Sequence, residues 1–148
     1  RVDRREARTS PARTTCRSRC AWSPTPSRAW SRRSWATARS PATEKALAKA
    51  GLSISDIGLF EINEAFAVQV LAFLDHYGIA DDDERVNQYG GAIAFGHPLA
   101  SSGVRLMTQL ARQFEEQPHV RYGLTTMCVG FGMGATVIWE NPHFEGDK

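Results

Sequence analysis

The sequence predicts a layered α/β domain that closes in an antiparallel hairpin, and three observations carry that expectation. Helical and β-rich runs alternate through residues 41–148 in the order α-β-α-β-α-β-β. Two turns dense in glycine, Tyr89–Pro98 and Cys128–Gly134, punctuate the apolar runs. Residues 1–40 differ so much in composition that they stand apart as a separate unit.

In chain order, Pro41 opens a short helix over Ala42–Ala50. Ala, Leu and Lys favour the helix, proline suits its first turn, and Gly51 suits the position after its last. Ile57–Ile62 has the length and apolar content of a buried strand. Glu64–Tyr77 reads as a helix, with Phe66, Val70, Phe73, Leu74 and Tyr77 on one face and Gly78 as its stop. Asp81-Asp82-Asp83-Glu84 is a solvated acidic loop, without the central glycine and spaced terminal glutamate of a calcium loop. Val86–Asn87 begins a short extended piece leading into the first glycine turn. Ser101–Glu116 is the next helix, with Val104, Met107, Leu110, Ala111 and Phe114 at helical spacing. Tyr122–Cys128 and Ala135–Glu140 are β-rich and joined by the second glycine turn, which makes them a hairpin.

Residues 1–40 hold eleven Arg and two acids, Asp3 and Glu6, for a net charge of +9; residues 41–148 hold seven Lys or Arg and fourteen acids, for −7. The acidic globular part offers no nucleic-acid footprint. The first segment has Val2 as its only aliphatic residue larger than Ala, so it cannot bury enough apolar surface to offset the entropy of ordering. It is expected to be disordered or irregular. Its Arg, Ala, Pro, Ser, Thr, Trp and Cys are also what a GC-rich gene yields when read out of frame, with the frame regained near Ser40-Pro41. A nucleic-acid arm, a transit peptide and a zinc site at Cys16-x3-Cys20 fit less well: the segment is not amphipathic and holds no second ligand pair. No run of about 18 apolar residues suggests a membrane span. Three cysteines, two of them in the first segment, do not form a disulfide framework, and a reducing, cytoplasmic compartment is expected.

Three side chains in the globular part stand where chemistry is plausible. His97 lies between Gly96 and Pro98, and proline biases it toward extended backbone, out of the helix that follows. It suits a general base or an oxyanion donor, against the plainer reading of a structural capping histidine. Cys128 ends an apolar strand beside open glycine backbone, which suits a reactive thiol as much as a packed one. Asn63 follows a strand and precedes a helix, where it could serve simply as a cap. Glu64 has the same plain account through the helix dipole. Gly130, Gly132 and Gly134 could form an anion nest, but their spacing is not that of the dinucleotide fingerprint. Cys128, His97 and Asn63 also compose the set of a cysteine hydrolase. A non-catalytic CoA-thioester-binding or dimerisation module is a third reading.

Taken together, these segments resemble the C-terminal half of a thiolase. Asn63-Glu64-Ala65-Phe66-Ala67 resembles the NEAFA motif. Gly90–Pro98, continuing to Ser102-Gly103, resembles the GGA-I-A-x-GHP block, and Cys128–Gly134 resembles the C-x-G-x-G-M-G block. The likeness covers about residues 41–141, in the right order, and leaves residues 1–40 aside. It implies one of the two similar halves of a layered α/β fold with a mixed sheet. The activity implied is thiolytic cleavage of 3-ketoacyl-CoA by CoA, as in fatty acid β-oxidation, with CoA and acyl-CoA as substrates and no resident cofactor or metal.

By the same resemblance, His97 activates a nucleophilic cysteine carried by the N-terminal half and helps bind a thioester oxygen. Cys128 is the acid/base at the substrate α-carbon or the CoA sulfur. Asn63 holds a water that completes an oxyanion hole with His97, and the Gly130 N–H belongs to a second one. Gly96 and Phe131 join the substrate-binding set. Ala100 and Phe131 stand where many members have glycine, and their bulk shapes the acyl or pantetheine channel or marks a subfamily. A homodimer is implied for the intact protein, with a hydratase–dehydrogenase subunit as a further partner, and the isolated chain is expected to be inactive.

Overall fold

The computed structural model describes residues 17–23, 39–130 and 132–146. Four strands form one mixed sheet in the order β1-β4-β3-β2: β1 (Arg17–Ser23), β2 (Leu59–Ile62), β3 (Tyr122–Gly130) and β4 (Met133–Glu140). β2 runs parallel to β3, whereas β3 and β4 form the expected antiparallel hairpin, and β1 pairs antiparallel with β4 on its other side. The fold class is therefore the layered α/β class that the alternating pattern implies.

Helix α1 (Arg39–Ala50) lies across β4 and β1, and α2 (Ala67–Tyr77) packs on the same side of the sheet. Their apolar residues Ala46, Leu47, Phe73 and Leu74 meet Phe60, Ile62, Leu124 and Ile138 from the strands in the main core. Helix α4 (Ser102–Glu116) covers the opposite face, where Leu110 and Phe114 close over Leu59. A single-turn helix, α3 (Ala92–Phe95), sits inside the first glycine turn.

The differences from expectation have physical causes. Within the first forty residues, Arg17–Ser23 is extended and paired, from Arg17↔Glu140 to Ser23↔Gly134. The backbone carries donors and acceptors whatever its side chains, so an available edge of β4 can order a segment that composition leaves irregular. Helix α1 starts at Arg39, ahead of Pro41. Helix α2 starts at Ala67 rather than Glu64, because the residues before it are held by loop contacts described below. Phe66 is extended there and exposed instead of lying on the buried face. The extended piece at Val86–Asn87 contracts to one parallel bridge, Phe60↔Val86, since Asn87 takes φ 46°. The buried stripe of α4 runs through Ser102, Leu106, Leu110, Gln113 and Phe114, whereas Val104, Met107 and Ala111 of the expected stripe face outward.

Candidate active site

The parallel pairing of β2 with β3 brings both glycine turns to one end of the sheet. Ile62 is opposite Thr126, and the Asn63 N–H donates to the Thr126 carbonyl at 2.9 Å, so Asn63 leaves β2 just as Cys128 approaches the end of β3. This is the carboxyl end of a parallel pair, where α/β proteins gather their ligand-binding loops.

His97 is placed by a turn that needs its glycines. Gly96 has φ +89°, a conformation that side chains rarely adopt, and so steps the chain out of α3. Gly91 is required by proximity: a Cβ there would lie 2.3 Å from the Glu64 carboxyl carbon. The imidazole Nδ1 lies 2.7 Å from Ser102 Oγ, and Nε2 lies 3.4 Å from Asn63 Nδ2. An amide N–H facing Nε2 makes that nitrogen the acceptor, so Nδ1 carries the proton and donates to Ser102. Ser102 Oγ in turn reaches the Pro98 carbonyl at 3.4 Å. The weak contact on Nε2 leaves its lone pair available for a proton from a substrate or a thiol. Asn63 is 0% exposed, and its Oδ1 is buried with no partner among the described residues.

Asn87 locks the approach to this site. Its side chain pairs with both backbone groups of Ile62, accepting from the N–H at 2.7 Å and donating to the carbonyl at 3.0 Å, in place of a neighbouring strand. Its amide also donates to Glu64 Oε1 at 2.7 Å, while Glu64 Oε2 accepts the Ile93 N–H at 2.9 Å. Glu64 thus ties the end of β2 to the start of α3 instead of serving the dipole of α2.

Cys128 points to the other side of the sheet. Side chains alternate along a strand, and Thr126 on the Cys128 face bonds to Thr136 at 2.9 Å, which bonds to Thr43 of α1 at 2.9 Å. The thiol donates to Gln69 Oε1 at 3.4 Å, and Arg39 Nη2 donates to the same oxygen at 2.9 Å. Arg39 is 1% exposed, and burial lowers its pKa from the ordinary value, partly offset by Cys128 and Glu64.

The structure therefore brings Asn63 and His97 into contact and sets Cys128 at the same end of the sheet, bonded to Gln69. The cysteine-hydrolase triad is not assembled: a nucleophile must hydrogen-bond its base, and the hydrogen of this thiol goes to α2. Gly130, at φ +95°, ends β3 at a bulge after Cys128. Phe131 lies outside the described residues. Among the described residues no group of three His, Cys, Asp or Glu could hold a metal ion, and no helix is long and apolar enough to cross a membrane.

Sequence reasoning missed Asn87, Gln69 and the polar side chains of α4 that lie under the glycine turn. Arg105, Gln109 and Gln113 recur every four residues, and this polar stripe at helical spacing was the readable signal.

Comparison with known proteins identifies the family. The sequence model of the family described as "Thiolase, C-terminal domain" matches residues 27–141, starting ahead of the boundary drawn at residue 41. A 3-ketoacyl-CoA thiolase of Photobacterium profundum is 54% identical over 101 residues, 68% of this chain and 26% of that protein. Proteins of the same name from Pseudoalteromonas translucida and Escherichia coli O139:H28 are 52% and 50% identical over the same shares. The chain thus spans about a quarter of the length of these curated relatives. It belongs to the thiolase family, a family of acyltransferases, through the C-terminal domain.

Proposed function

We propose that this chain supplies the acid/base side of a 3-ketoacyl-CoA thiolase site, completed by a cysteine nucleophile from the N-terminal half. The observation that carries the reading is the Asn63–His97 pair, presented by a glycine turn at the sheet end that also bears Cys128.

In the first step His97 Nε2 takes the proton of the nucleophilic thiol, and the thiolate attacks the 3-keto carbon. The C2–C3 bond breaks, its electron pair goes to C2, and C2 takes a proton from the Cys128 thiol to release acetyl-CoA. In the second step the Cys128 thiolate takes the proton of incoming CoA, whose sulfur attacks the acyl-enzyme carbonyl; the nucleophilic cysteine leaves as thiolate and takes back the proton held on His97 Nε2. Each proton transfer is typically worth about 10²–10⁴ in rate. Asn63 Oδ1, buried and unpartnered, suits a water that would share an oxyanion with His97, and such a donor is worth about 10²–10³. The Gly130 N–H serves the second oxyanion and Gly96 borders the substrate, while Phe131 is assigned to the substrate-binding set by resemblance alone. Because His97 and Cys128 approach from opposite faces of the sheet, the substrate would cross the carboxyl ends of β2 and β3 between them. The same reading makes the intact protein a cytoplasmic homodimer of fatty acid β-oxidation, open to a hydratase–dehydrogenase partner.

The test is reconstitution. The chain is co-expressed with the N-terminal half of one of its 3-ketoacyl-CoA thiolase relatives, and CoA-dependent loss of the thioester–enolate absorbance is followed. His97→Ala and Cys128→Ala should each lower kcat by about 10²–10⁴. Full turnover by the His97→Ala complex would end the proposal.

A further inference from the structure

We infer that Arg105 and Gln109 are positioning residues for His97, acting as a two-point clamp on the turn that carries it. The two lie one helical turn apart on α4, at i and i+4, and so share a face. Arg105 Nη1 donates to the Gly96 carbonyl at 2.9 Å, directly before His97. Gln109 Nε2 makes the weaker of the two bonds, to the Gly90 carbonyl at 3.4 Å, where the turn begins. One helix face thus holds both ends of the Gly90–Gly96 segment.

The clamp is itself anchored. The Arg105 guanidinium lies over the Phe95 ring at 5.9 Å, and its Nε and Nη2 are buried without a hydrogen-bond partner among the described residues, so Nη1 alone makes the bond to the turn. The next residue of the stripe, Gln113, donates to Glu61 Oε1 at 2.7 Å and ties α4 to β2. A turn with glycines at φ +81° and +89° has many alternative conformations, so its single geometry depends on such external bonds. Ser102, on the same helix, bonds Nδ1 of the imidazole, so α4 sets both the backbone and the ring of His97. The catalytic meaning of the clamp rests on the role proposed for His97; the clamp itself does not.

The experiment uses the full chain, labelled with ¹⁵N, and reads amide exchange at Phe95 and Gly96 together with the ring-nitrogen shifts of His97. A hydrogen bond from a charged donor is worth enough that losing it should speed exchange of these amides by about tenfold or more. We expect that in Arg105→Gln, with the His97 nitrogens moving toward a tautomer average. Arg105→Lys should recover part of both effects, and Arg121→Gln, on an exposed ion pair with Glu140, should change neither. If Arg105→Gln does not fold, Gln109→Ala carries the same readings at the Gly90 end. Parent-like exchange and ring shifts in the folded variant would overturn the clamp. In the reconstituted enzyme, kcat should fall in Arg105→Gln while KM holds; a loosened turn with parental kcat would overturn the positioning role. A parent complex that shows no thiolysis would count against the proposed function and leave the amide and ring readings intact.

Discussion

Glu61 is a carboxyl group held where its charge is costly. It sits on β2 at 0% exposure, bonded through one oxygen to Gln113, with the other oxygen buried and unpartnered. Burial pushes its pKa from 4.5 up to about 7; the nearby Glu64 adds to the rise, while Gln113 and Arg105 oppose it. Between those two values the folded chain holds a proton that the unfolded chain has lost, so stability falls as pH rises through that window. The whole effect is about 3 kcal/mol, present below the unfolded value and gone above the folded one. Glu61→Gln keeps the shape and removes the titration. Urea midpoints at pH 5, 6.5 and 8 should therefore decline in the parent and stay nearly level in the variant after subtraction of shared effects. An equal decline in both would place the pH dependence elsewhere. The same residue shows a limit of sequence reading. A glutamate within an apolar strand is visible at once, but its pairing with Gln113, fifty-two positions away, is set by the packing of α4 on β2.

At the scale of elements, the three longer helices and the strands of residues 41–148 were legible in order and type, whereas β1, the one-turn α3 and the ends and faces were not. The hairpin, the strand at Ile57–Ile62 and the long helix follow from apolar runs and glycine stops, whereas the parallel pairing of that strand with β3 does not. The start of α2 was not readable, because Glu64 and the backbone of Ile62 are captured by Asn87, a contact that no local pattern contains. The face of α4 misled for a related reason. Val104, Met107, Leu110, Ala111 and Phe114 form one plausible stripe, but the sheet selects another, through Leu106, Leu110 and Phe114. Gly123 on β3 shows why: a Cβ there would lie 2.7 Å from Leu110 and 2.8 Å from Phe114, so the strand has yielded space for those two side chains. The motif residues Asn63 and His97 were legible, as was their juxtaposition by resemblance. That the Cys128 thiol would turn to Gln69 was not, since it depends on strand alternation at a bulged end. The helix face has a direct test. Leu110, 1% exposed, should cost about 2–5 kcal/mol on mutation to Ala. Val104, 59% exposed, should change stability by about 0.5 kcal/mol or less in the same substitution. Because Leu110 belongs to both stripes, Val104 decides between them in denaturant midpoints, and a loss of about 1 kcal/mol or more at Val104 as well would restore the expected stripe.

At the scale of the whole molecule, five of the ten exposed large apolar side chains among the described residues lie around the proposed site. Phe66, Ile93, Phe95, Leu99 and Val129 are all at least half exposed, and all lie on the segments that bound the carboxyl ends of β2 and β3. An apolar rim around a polar pair is the form of a surface meant to be covered. The chain also spans only 26% of its relatives' length, and the thiol that resemblance assigns to acyl transfer is not in either of its glycine motifs. A base and a proton donor without an acyl acceptor can bind and polarise a thioester, but they cannot divide thiolysis into two steps. We therefore expect the chain alone to leave the 3-ketoacyl-CoA enolate absorbance unchanged on addition of CoA. Addition of the N-terminal half should start the loss of absorbance and protect Leu99 and Ile93 from hydrogen exchange. Turnover by the chain alone, with an acyl adduct on Cys128 found by mass spectrometry, would instead show that this thiol accepts the acyl group itself.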